Sequence, residues 1–80
     1  MLSRTYTNYQ LPEATHLTIK IYNMLGQHVR TLVDKQHSAG QFKVTWDGKN
    51  TNAKAVPSGL YFCRLEADGF VSSKKMLMLK

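Results

Sequence analysis

Five carboxylates, three imidazoles and one thiol are the groups in this chain with the means to do chemistry. Glu66 and Asp68 stand two positions apart, on one face of a strand beside a turn, and would form a carboxylate pair there. No general acid or base accompanies them, and a turn explains Asp68 without any catalysis. His16, His28 and His37 fall in three separate segments, so a metal site needs the fold to bring them together; otherwise they are three surface imidazoles. Asp47, Asn50 and Asn52 share one loop but lack the glycine turn and the downstream bidentate glutamate of a calcium loop. Their type suits Asx turns, in which a short side chain accepts from the backbone two residues on. Cys63 is a single cysteine, so an internal disulfide is excluded. At an inward strand position it reads as a small hydrophobe, because a reactive thiol needs cations and exposure. No catalytic constellation, cofactor cradle or metal ligand set emerges, and none is expected.

These residues sit on strands. Phe42, Val44 and Trp46 alternate with Gln41, Lys43 and Thr45, the period of a strand with one buried face. Tyr61, Cys63 and Leu65 alternate in the same way, and Trp46 and Tyr61 are the expected centre of the core. Leu17, Ile19 and Ile21 mark the strongest strand of all. Before it, Tyr6–Leu11 makes a first strand that Pro12 ends. After it, Asn23-Met24-Leu25-Gly26 is a turn with Gly26 at positive φ, and Gln27–Val33 returns as the second arm of a hairpin. Val29 faces inward there, joined by Thr31 or Val33, and Leu32 changes sides at a bulge. The polar stretch 34–40 reads as a loop. Asp47-Gly48 breaks the Gly40–Trp46 strand, Pro57-Ser58-Gly59 restarts the chain into Leu60–Ala67, and Asp68-Gly69 is a hairpin turn. The last strand, Phe70–Lys80, carries Ser73, Lys75, Leu77 and Leu79 on one face and Lys74, Met76, Met78 and Lys80 on the other. Six to seven short antiparallel strands and no helical period predict an all-β, immunoglobulin-like β-sandwich.

The chain has 80 residues, enough for one small domain. Its net charge is +6, but Lys20, Lys43, Arg64, Lys74 and Lys80 are spread over strand positions. That scatter protects sheet edges and argues against a nucleic-acid surface. No apolar run is long enough to cross a membrane, so no direct membrane insertion is expected.

Six segments in order carry a resemblance: Tyr9-Gln10-Leu11-Pro12-Glu13, Ile21–Gln27, Val29–Val33, Trp46-Asp47-Gly48, Ser58–Phe62 and Lys75-Met76-Leu77. Together they resemble the C-terminal sorting domain of type IX secretion substrates, and are similar also to the immunoglobulin-like domain of the flagellar hook-capping protein. The first resemblance implies a non-catalytic export address for a secreted passenger. Its partners would be translocon components and a covalently linked N-terminal passenger domain, and its location the outer-membrane surface or medium, reached through the periplasm. Recognition would then rest on Ser58, Gly59, Leu60 and Tyr61 and on Lys75, Met76, Leu77, Met78, Leu79 and Lys80. The second resemblance implies a passive accessory or interaction domain of a larger extracellular protein. Two departures stand out. Ala53 follows Asn52 where relatives carry glycine, which costs about 1 kcal/mol if the position needs positive φ. Residues 1–8 replace the usual Asn-Pro-Phe-Asn-Pro run and read as a linker or a remnant of the segment before the domain.

Overall fold

The computed structural model describes residues 5–79. Six antiparallel strands follow one another: β1 (Thr5–Leu11), β2 (Thr15–Tyr22), β3 (His28–His37), β4 (Gly40–Trp46), β5 (Gly59–Ala67) and β6 (Phe70–Met78). They form two sheets of unequal width. β1 pairs with β4 alone, while the other sheet runs β3-β2-β5-β6. Alternation decides what lies between them. Leu17, Ile19 and Ile21 from β2, Tyr61, Cys63 and Leu65 from β5, Met76 and Met78 from β6, and Leu11 and Trp46 from the narrow sheet are all buried. Val56, from the loop before β5, completes this cluster.

The strands differ in regularity. β4 keeps a strict alternation along its length, with Phe42, Val44 and Trp46 turned inward. In β3, the partner of Ile19 is Val33 and the partner of Lys20 is Thr31. Leu32 is therefore an extra residue, a bulge that lets Val33 and Leu32 both reach the core. A second register shift between Ile21 and Tyr22 does the same at Val29. Thr31 stays exposed and is hydrogen-bonded to His28 at 2.9 Å.

Two expectations need correcting. The stretch 34–40 is not a loop: β3 continues to His37, and only Ser38 and Ala39 connect it to β4. An edge strand exposed on one face tolerates polar residues, and Asp34 anchors this part by accepting from His16 Nε2 across the ladder at 2.6 Å. Residues 5–8 are not linker but half of β1, paired residue by residue from Thr5↔Trp46 to Asn8↔Lys43. Residues 1–4 lie outside the described part.

Candidate functional site

The thiol and the acids settle into structural roles. Cys63 is buried on β5, and burial raises its pKa above the ordinary 9.0, an effect the Lys74 ammonium partly offsets. At neutral pH it is a protonated thiol, poorly suited to nucleophilic attack. Glu66 pairs with Arg64 Nε at 3.2 Å, while Asp68 occupies the β5–β6 turn and its backbone N–H donates to Thr15 Oγ1. His16 meets Asp34, His28 meets Thr31, and the His37 ring packs edge-on against Phe42 at 4.0 Å between centroids. Among the described residues no three metal-ligating side chains converge.

The loop acids and amides build turns instead. Asp47 Oδ1 accepts from the Lys49 N–H and from Arg30 Nη1, so it both shapes the loop and ties it to β3. Asn50 Oδ1 accepts from the N–H groups of Asn52 and Lys54. Thr51 gives both its N–H and its hydroxyl to the Val29 carbonyl. A short bridge between Lys49 and Ala55 closes the excursion, and Val56 N–H returns to Gly48 O. The result is a folded cover over one end of the sandwich. Beneath it Trp46 is fully buried, its ring 5.0 Å from that of Tyr61 in a T-shaped pair, its Nε1 donating to Lys49 O. Tyr61 donates its hydroxyl to Pro57 O at 2.7 Å, the local bond of a tyrosine corner. Gly48, at φ +78°, sits where a Cβ would come within 3.0 Å of Met78 Cε. Ala53 does adopt positive φ, +62°, a conformation that glycine takes without strain.

The two segments expected to carry recognition are brought side by side. Gly59, Leu60 and Tyr61 pair with Met78, Leu77 and Met76. Within them the roles divide. Tyr61, Met76 and Met78 are core, whereas Lys75, Leu77 and Leu79 face outward and Leu60 is half-buried. Ser58 lies just before β5, exposed. Lys80 lies outside the described residues.

A further feature lies at the same end. Met24 and Leu25, 70% and 83% exposed, stand at the tip of the β2–β3 turn. The tip is fixed by Asn23: its Oδ1 accepts from the N–H groups of Leu25 and Gln27, its Nδ2 donates to Gln27 Oε1, and its carbonyl accepts from Gly26 N–H. Gly26 takes φ +81°. The sequence signal was two large apolar residues inside a four-residue turn, where polar ones are the rule. An ordered turn that presents apolar side chains to solvent suits a contact surface.

Residues 4–69 match the FlgD Ig-like domain family. The chain belongs to that family. Among solved structures it is similar to FlgD from P. aeruginosa, at 22% identity and a TM-score of 0.75 over 95% of this chain. The match covers 61% of that protein, so this chain spans about three-fifths of its length. At this identity the likeness speaks for the fold. No curated protein matches the chain. The immunoglobulin-like sandwich is thereby established.

Proposed function

We propose that this chain is a non-catalytic immunoglobulin-like accessory domain of a larger extracellular protein. It packs against a neighbouring domain through the end that carries Met24 and Leu25. The observation behind this reading is the Asn23-braced turn, which holds two apolar side chains in solvent on a backbone already ordered for a later contact. The test is a two-domain protein containing this chain and the domain next to it. Met24→Asp with Leu25→Asp is expected to loosen the two bodies, read as a larger radius by X-ray scattering and as faster proteolysis between them. Unchanged scattering and cleavage in a folded double variant overturn the contact.

A second reading is favoured by the outer face of the last strand, where Lys75, Leu77 and Leu79 form a lysine-flanked apolar row beside the β5 start. In that reading the domain is a sorting module that a type IX translocon recognises at the outer membrane, attached to an N-terminal passenger. Fused to the C-terminus of a periplasmic reporter in a host with that system, it should carry the reporter to the cell surface. Retention in the periplasm, beside export of the same reporter by an established sorting domain, refutes it.

A further inference from the structure

The inward face of β6 is covered along only half of its length. Met76 and Met78 are buried, yet Phe70, Ser72 and Lys74, on the same face by alternation, are exposed. The cause is the unequal width of the sheets. The narrow sheet ends at β1, and among the described residues no strand pairs with the β1 edge that faces away from β4. That edge is marked by Lys74 Nζ, which donates to the Asn8 carbonyl at 2.8 Å. In a strand the N–H and C=O of one residue point the same way, so Asn8, and by alternation Tyr6 and Gln10, offer their backbone groups outward. Between this edge and β6 lies a cavity of about 150 Å³. Ile19, Cys63 and Leu65 form its floor, Tyr9 and Phe70 its walls, and Lys74 overhangs it. That volume is roughly what an engineered apolar cavity needs to take up benzene, and it suits one leucine or phenylalanine side chain.

We propose that the free edge of β1 binds an extended segment of a partner protein, which adds a third strand to the narrow sheet. One apolar side chain of that strand enters the cavity above Cys63, and a flanking carboxylate takes Lys74. The Asn8 carbonyl, held by a lysine ammonium, then exchanges it for a backbone N–H, and the ammonium exchanges a neutral acceptor for a charged one. Charge selects the occupant. The chain carries +6, and neither this cavity nor the adjoining groove, which Lys43 and Lys74 both line, contains an aspartate or glutamate. A second copy of this basic chain is a poor candidate for the same reason. The proposal rests on the accessory-domain reading but uses a different face from the Met24 turn.

The probes are three blocked heptapeptides: Thr-Glu-Val-Leu-Val-Asp-Thr, its lysine-flanked analogue Thr-Lys-Val-Leu-Val-Lys-Thr, and the acidic peptide with alternate backbone nitrogens methylated. Titration into the ¹⁵N-labelled chain is followed by amide shifts and hydrogen exchange. The acidic peptide is expected to bind at least about tenfold more tightly than the lysine-flanked one, to slow exchange at Asn8 and Gln10, and to lose binding on methylation. Lys74→Glu, an exposed change checked for folding by Trp46 fluorescence, should reverse the preference. Ser72→Leu, which fills the cavity from its own wall, should weaken the acidic peptide. Equal binding of both charge types, shifts confined to the Met24 turn, no binding, or dimerisation without peptide each overturn the proposal. Loss of the Met24 contact with the edge still active would instead refute only the domain-packing reading.

Discussion

The Trp46 end of the sandwich and its β1–β6 flank are built from the same strands and finished in opposite ways. At the Trp46 end the buried polar groups find partners within the same loop and strand start. Trp46 Nε1 finds Lys49 O, Tyr61 finds Pro57 O, and Val56 N–H finds Gly48 O. The twelve-residue excursion between β4 and β5 is thereby folded down as part of the core. On the flank, one lysine side chain spans the gap to one backbone carbonyl. The difference teaches that sheet width, not hydrophobic content, decides where this small domain is open. Residues on a single face of β6 are buried or exposed according to whether the opposite sheet reaches them.

The largest test of the closed end is Trp46→Ala. It should cost roughly 3–5 kcal/mol, the usual range for emptying a large aromatic site, against well under ~1 kcal/mol for exposed Thr45→Ala. Urea denaturation followed by circular dichroism measures both. A similar cost for the two would mean that the Trp46 end is no better packed than the surface. Tyr61→Phe isolates the corner bond. It removes one hydroxyl and leaves Pro57 O without its donor, at a cost of about 1–2 kcal/mol. Ala53→Gly goes the other way. At φ +62° alanine is strained, and glycine should stabilise the domain by up to ~1 kcal/mol, less what glycine adds to the unfolded chain's freedom. A loss of stability there would show that the loop does not hold Ala53 in that conformation in solution.

The gentlest probe is pH. Burial raises Cys63 above its ordinary 9.0 and Tyr9 and Tyr61 above 10.0. Each group therefore gives up its proton more readily in the unfolded chain than in the folded one. The stability this represents is fully present below the unfolded value and is lost as pH rises toward the folded one. The urea midpoint should decline from about pH 9 upward, and Cys63→Ala should flatten the first part of that decline. A midpoint that rises with pH in this range would contradict the burial of these groups.

Most of the core was legible because burial on one face writes itself as alternation. Phe42-Val44-Trp46, Tyr61-Cys63-Leu65 and Leu17-Ile19-Ile21 needed no further information. The bulge at Leu32 was also visible, since the neighbours Leu32 and Val33 cannot both face inward on a regular strand. The second half of β3 was not legible. Asp34, Lys35 and Gln36 lie on an edge strand where the ladder, not the side chains, makes the strand, and a polar run there looks like a loop. The alternation on β6 placed Lys74 with Met76 and Met78 on one face. It gave no hint that Lys74 would be open to solvent while the methionines are buried, because that depends on how far the other sheet extends. The segments expected to carry recognition, around Ser58 and Lys75, lie on adjacent strands, yet Tyr61, Met76 and Met78 among them are core.

The Leu32 bulge has a consequence for how this sequence can change length. Removing one residue from a strand normally inverts every side chain beyond the gap. Here Ile19 faces Val33 and Lys20 faces Thr31 with Leu32 unmatched between them. Deletion of Leu32 alone would leave a continuous ladder with all other partners unchanged, and would sacrifice only the contact that this one side chain makes. β3 thus holds a position where a codon can be lost without a frame of inverted faces. β4, paired without interruption from Gly40 to Trp46, has none.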